Sequence, residues 1–250
     1  MAMWPFTAAL GVLGLGTLAC LIPLARRRER LGGMLLAPRS ALRDVAGQPD
    51  WIAPLSLVLV FALLGSMAQS GKFLEAIGGS GGGISDSERI LIVIVPFLMV
   101  VGILAFNLGA WVVRTGCIWL LARISGEKTR FYPLLSAVGY ASLPEWLFGG
   151  IITACVIAFG GADLSPTFSI APPTSLAGLF PDLTAENMPL QHLFGRIEPF
   201  GLWSLVLAVI GVQRVCGCAM RKAALIGAIY WMLVLGTTVG VVAIRDAAIG

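Results

Sequence analysis

Residues 139–161 read GYASLPEWLFGGIITACVIAFGG, and the reading of this stretch decides the fold. A Gly, a Tyr, a Ser, a Pro and a Glu stand almost side by side, and a long uncharged apolar run follows at once. As a helix, residues 143–160 would span about 27 Å, close to the ~30 Å hydrocarbon core of a bilayer. Ser142 then stands at the N-cap and Glu145 at N3, completing a Ser-x-x-Glu box, with Pro144 in the first turn where its missing N–H does no harm. On this reading residues 131–141 lie in the membrane interface, anchored by Phe131, Tyr132 and Tyr140.

The rest of the chain supports a membrane setting. Of its 250 residues 58% are hydrophobic and 12% charged, and the mean hydropathy is +0.91. Soluble domains are typically about a quarter charged. Further apolar runs occupy residues 4–24, 51–68, 90–122, 200–220 and 223–244. Alternating ten-residue strand patterns are absent, so a barrel is not expected. A lipid-embedded backbone must satisfy its own hydrogen bonds, which leaves an all-α polytopic bundle of about six transmembrane helices.

The organisation expected is an N-terminal transmembrane helix with an Arg cluster in residues 1–30 and an interfacial amphipathic segment in 31–50. A five-span membrane domain follows over 51–250, with an outer loop at 161–199. The run at 90–122 would be about 48 Å long as one helix, so a tilt, a protrusion or a break near Gly109 or Gly116 is expected. Ser85 and Glu88 form a second Ser-x-x-Glu box ahead of it. Placing the N-terminus outside puts thirteen Lys and Arg on the cytoplasmic side against four outside, as the positive-inside rule demands. Six crossings then leave both termini outside.

Several functions lose support at this level. The net charge of +4 arises from basic residues at the ends of apolar runs, which suits topology and anionic headgroups rather than nucleic acid. The five cysteines form no CxxC, and the single histidine, His192, reads as a surface residue of the outer loop. No metal site and no cofactor is expected. The Gly-Gly-Ser-Gly-Gly-Gly at 78–83 is linker chemistry without P-loop spacing.

The polar residues inside apolar runs are the candidates for function. Arg114, Glu145, Gln213 and Arg214 are expected at one cytoplasmic depth. A carboxylate near the hydrocarbon edge is tolerated only when paired or hydrated, so Glu145 is expected to pair with Arg114 or Arg214. No second carboxylate, histidine or thiol stands ready for acid–base work, and no catalytic residue is assigned. Asn107 is expected to hydrogen-bond between helices. Gly236 and Gly240 form a GxxxG read as close packing inside the bundle, with a dimer face as the alternative.

Three stretches carry a family resemblance: APRSALRDVAGQPDWIAPL (37–55), LLARISGEKTRFYPLLSAVGYASLPEWL (120–147) and IEPFGLWSLVLAVIGVQRVCGCAMRKA (197–223). In order and character the chain resembles the Yip family, the Rab-interacting-protein-like group, and its bacterial branch in particular. The resemblance covers residues 37–245, with the helix at 4–24 as an addition. It implies a small helical membrane protein of the bacterial cytoplasmic membrane, without established catalytic residues. Gly139, Tyr140, Ser142, Pro144 and Glu145 match the family's Tyr-Ala-Ser-x-Pro signature and its surroundings. Eukaryotic members act in vesicle trafficking and associate with Rab GTPases through a long cytosolic N-terminal region. That region is missing here, so Rab binding is not expected. The function expected is a non-enzymatic scaffold or accessory subunit that binds other integral membrane proteins and anionic lipid headgroups. The alternative is a small-solute or lipid transporter.

Overall fold

A computed structural model describes residues 28–61, 86–149, 151–152, 155, 174–180 and 188–249. The expected helix at 4–24, the glycine-rich linker, Ser85 and most of the outer loop lie outside these residues. Among the described residues every regular element is helical. They are α1 (Arg28–Leu36), α2 (Pro38–Gly47), α3 (Ile52–Phe61), α4 (Asp86–Ile124) and α5 (Phe131–Ala141). A π-helical turn, Glu145–Gly149, follows, then α6 (Leu176–Leu179), α7 (Met188–Gly195), α8 (Pro199–Cys216) and α9 (Met220–Ile249). Among the described residues three stretches are long and apolar enough to cross a membrane: Val101–Ile124, Pro199–Cys216 and Met220–Val241.

Residues 31–50 form two helices rather than one segment, because Pro38 starts a new helix after Ala37, whose backbone is non-helical (φ −144°, ψ 63°). α2 is amphipathic in the strict sense: Ala41, Leu42 and Val45 are buried, while Arg39, Arg43 and Asp44 are exposed. Its apolar face, however, packs on α5 and α8 of the same chain. Asp50 then caps α3, its Oδ1 accepting from the amide of Ile52 at 3.0 Å.

α5 corrects the expectation most. It is the centre of the bundle, not an interfacial strap. Leu134 and Val138 join Trp111, Ile118 and Ala122 of α4 and Ile226 and Tyr230 of α9 in one buried cluster. Ala137, Tyr140 and Ala141 join Met34, Leu42, Val45, Leu57 and Leu207 in a second. A helix apolar on every side is one that gets buried. Phe131 and Tyr132 remain exposed, but Tyr140 is fully buried. Gly139 explains how the neighbours come so close. A Cβ there would lie 2.7 Å from Pro54 Cβ and 2.7 Å from the Trp111 ring. The Trp111 indole N–H also donates to Leu135 O at 3.0 Å.

α4 runs unbroken over 39 residues, so neither Gly109 nor Gly116 interrupts it and the excess length is carried as tilt or protrusion. α8 ends where Gly217 enters the left-handed region at φ 67°, its amide closing on Gln213 O at 2.9 Å. Only a glycine adopts that conformation cheaply. The turn that follows is short and returns the chain as α9. Lys222 pairs with Glu127 at 2.6 Å, which fixes the end of α4 and the start of α9 at the same end of the bundle.

Candidate functional site

The site grows out of Pro144. Pro144 has no N–H to give to Tyr140 O one turn earlier, and its ring presses on that carbonyl. The winding loosens accordingly, and the following residues, Glu145–Gly149, take up a π turn. Such single π turns inside α-helices are a recurrent mark of functional positions. Ser142 is therefore no N-cap. Its backbone is helical (φ −78°, ψ −2°), and its hydroxyl donates back to Val138 O at 3.0 Å. Over the described residues 131–149 is one helical path that changes its winding, rather than an interfacial segment followed by a freshly capped helix.

Loosening the helix presents Glu145 to its neighbours. Arg114 Nη1 of α4 donates to Glu145 Oε2 at 3.0 Å and to Ser142 Oγ at 3.2 Å. The amide of Glu145 donates to Ser204 Oγ of α8 at 3.3 Å. The Arg114 guanidinium lies 5.8 Å from the centre of the Tyr230 ring on α9, within reach of a cation–π attraction. Nε of Arg114 is buried and finds no hydrogen-bond partner among the described residues. The Arg114 side chain is 15% exposed and that of Glu145 is 41% exposed. Four elements thus converge on one ion pair that is closed on one side and open on the other.

The depth of the pair differs from the expectation. Arg114 lies ten residues inside the end of α4 at Ile124, and Tyr230 ten residues inside the start of α9 at Met220. Ten residues of helix are about 15 Å. Arg214 lies only two residues from the end of α8 at Cys216, about 3 Å along the axis. Gln213 and Arg214 therefore sit a different layer from Glu145, and no bond joins them to the pair. The Nε of Arg214 is likewise buried without a partner among the described residues. Residue spacing within each run gave the order of these groups, but the offset between helices could not be read from it.

A second carboxylate borders the π turn. Glu198, buried just ahead of α8, accepts from Thr174 Oγ1 at 2.8 Å. Its Oε1 lies where a Cβ on Gly149 would be, 2.9 Å away. Burial pushes its carboxyl above the ordinary value; the Thr174 hydroxyl opposes this, and the charge of Glu145 adds to it.

A separate polar node fastens the entry of α3 to α5. The Asp50 amide donates to Ser136 Oγ at 2.9 Å, Ser136 donates to Asp50 O at 2.7 Å, and the Tyr140 hydroxyl donates to Asp50 Oδ2 at 3.3 Å. Burial first, then the Asp50 carboxylate, pushes the Tyr140 phenol up to about 12, although Arg30 pulls the other way.

The remaining candidates are placed as follows. The Asn107 amide donates to Ile103 O of its own helix at 2.8 Å, so this bond is not an interhelical one. Among the described residues a Cβ on Gly236 or Gly240 would meet nothing within 4 Å, so neither shows there the close approach expected of packing inside the bundle. His192 lies on α7 with intermediate exposure, its Nε2 buried. Ser204, Tyr230, Asp50, Ser136 and Glu198 were missed by the sequence reading. Asp50 alone carried a usable signal, an Asp two residues before an apolar helix. Among the described residues no three His, Cys, Asp or Glu side chains converge as a metal ion requires.

A helical bundle with apolar helices long enough to cross a bilayer and a half-open Arg–Glu pair between them defines an integral membrane protein with a polar site among its helices. The Yip1 domain profile matches residues 32–241, and the chain belongs to that family. It is similar to the membrane protein YknW of Bacillus subtilis (strain 168), with 27% identity over 210 residues, 82% of this chain and 86% of the relative. No solved structure matches the chain.

Proposed function

We propose that this Yip1-family protein is a non-catalytic scaffold or accessory subunit of the bacterial cytoplasmic membrane, binding other integral membrane proteins and lipid. The observation that carries the reading is the half-exposed Glu145 paired with Arg114, ten residues inside the end of α4. A charge at that depth is costly towards lipid and is normally turned to protein or to a polar cavity. The α4 and α9 faces nearby expose large apolar side chains, among them Phe106, Val113, Ile229 and Met232. A partner helix seated there would cover apolar surface and the open side of the ion pair together. Basic side chains gathered at the Ile124 and Cys216 ends add attraction for anionic headgroups on the cytoplasmic side.

The test is extraction of the tagged full chain in a mild detergent, followed by native mass measurement. Co-migration with another membrane protein at fixed stoichiometry is expected. An isolated monomer or homodimer contradicts the reading.

The same geometry favours one other reading, transport. A helix that loosens around mid-depth polar groups is a feature of transporter sites. Water-soluble thiol reagents on single-cysteine variants separate the two. Labelling at position 145 from both sides of the membrane supports a transport path, and protection from both sides supports a covered docking site.

A further inference from the structure

A cleft of about 560 Å³ opens between α1 and α2, at the end of the chain's first described segment. Its size falls within the ~300–1,000 Å³ range of small-ligand sites. Glu29 and Arg30 line it from α1, Arg43 and Asp44 from α2, and Gln48 closes one end. At its base the two helices nearly touch, since a Cβ on Gly33 would lie 3.1 Å from Ala41 Cβ.

The charges of this cleft are arranged unusually for a surface groove. Two cations and two anions face one space, yet among the described residues Glu29, Arg43 and Asp44 form no ion pair. Arg30 is held in place by Gln48 instead, its Nη1 on Gln48 O and its Nη2 on Gln48 Oε1, both at 3.1 Å. Each wall thus offers one cation and one anion to the cleft, and Glu29, Arg43 and Asp44 are not paired among the described residues. A polyanion entering the cleft would meet Glu29 and Asp44, and a simple cation would meet Arg30 and Arg43. A ligand that carries both charges on neighbouring groups meets neither repulsion.

The surroundings indicate the level at which the cleft lies. Leu36, at the corner between the two helices, is 89% exposed, and Trp51 and Ile52 at the entry of α3 are exposed as well. An exposed Trp at the start of an apolar helix belongs at the headgroup level. We propose that the cleft binds a zwitterionic amino-phosphate. Arg43 and the Gln48-held Arg30 receive the phosphate, and Glu29 with Asp44 receives the ammonium group. The same chemistry is offered by the headgroup of phosphatidylethanolamine and by free phosphoethanolamine. The proposal is independent of whether the chain is a scaffold or a transporter.

The test uses the purified full chain in detergent and in nanodiscs, with lipid retention read by native mass spectrometry and thermal stability read alongside. Phosphatidylethanolamine is expected to be retained over phosphatidylglycerol by about tenfold or more, a difference of ~1.4 kcal/mol. Arg43→Gln is expected to abolish that retention. Glu29→Gln with Asp44→Asn is expected to erase the preference while leaving phosphatidylglycerol binding intact. Arg39→Gln, on the same helix but outside the cleft, is expected to change nothing. These side chains lie at or near the surface, so loss of fold is read out separately by the melting temperature. In a second arm phosphoethanolamine, ethanolamine and inorganic phosphate are titrated alone. Tight binding of phosphoethanolamine assigns the site to a soluble ligand, and binding of the lipid only assigns it to the membrane. Equal retention of both lipids, unchanged binding in the cleft variants, or phosphate alone binding as well as phosphoethanolamine would overturn the proposal.

Discussion

Removing either partner of the Arg114–Glu145 pair has consequences that differ in size, and the difference follows from the geometry. In Glu145→Ala, Arg114 keeps its bond to Ser142 and its contact with the Tyr230 ring, and its side chain, 15% exposed, stays charged with Nε already without a partner among the described residues. Arginine cannot relieve this by losing its proton. In Arg114→Ala, the carboxylate left behind is 41% exposed and keeps an open side from which a polar partner can reach it. One charge-assisted hydrogen bond contributes about 1.5–3 kcal/mol. Breaking a fully buried pair costs about 3–5 kcal/mol, and the open side of this one places it below that range. Glu145→Ala is thus expected to cost about 2–3 kcal/mol and Arg114→Ala about 1–2 kcal/mol, with a coupling of at least 1 kcal/mol between them. The assay is reversible unfolding in mixed micelles of the two single variants and the double. Glu145→Gln, which keeps an acceptor, should recover part of the loss. A coupling below about 0.5 kcal/mol, the value of a solvated surface pair, would refute the reasoning, as would a larger loss from Arg114→Ala than from Glu145→Ala.

Three further outcomes follow from the packing. Gly139→Ala drives a Cβ to 2.7 Å from Pro54 and Trp111, so a loss of about 1–3 kcal/mol by overpacking is expected in the same unfolding assay. Leu42→Ala empties a fully buried position on α2 and should cost about 2–5 kcal/mol, while Leu36→Ala at the exposed corner should leave stability unchanged. Because the Tyr140 phenol is raised to about 12 from its ordinary value of 10.0, its contribution to stability is complete below pH 10. That contribution is lost as the pH rises towards 12. Tyr140→Phe should remove this alkaline step from the melting curves.

The membrane class and helical architecture were legible because they rest on sums over many residues: few charges, long apolar runs, and basic residues at run ends. The local chemistry of residues 139–146 was only half legible. A Ser, a Pro and a Glu at that spacing fit a capped helix start and a loosened helix interior equally well. Tertiary burial of α5 selects the second, since its apolar residues 134–141 find neighbours on both sides. Tyr140 looked like an interface anchor because an aromatic with a hydroxyl suits that place. Its partner, Asp50, lies ninety residues away in sequence, and no local pattern connects them. The site shows the same limit. Glu145 was expected to seek an arginine, and the structure brings Arg114 to it. Arg214 stayed a rival candidate until the axial offset of α8 against α4 was fixed. Ser204 and Tyr230 looked like isolated polar atoms in greasy helices, and only the register between helices turns them towards the pair.

The central claim is that the open side of the Arg114–Glu145 pair is covered by another membrane protein. Its most direct test is native mass measurement of the gently extracted full chain, wild type beside Glu145→Ala. The account predicts a complex of fixed stoichiometry with a second integral membrane protein in the wild type, lost in the variant while the chain remains folded. A wild-type chain that emerges alone, or a complex that the substitution leaves intact, would contradict it.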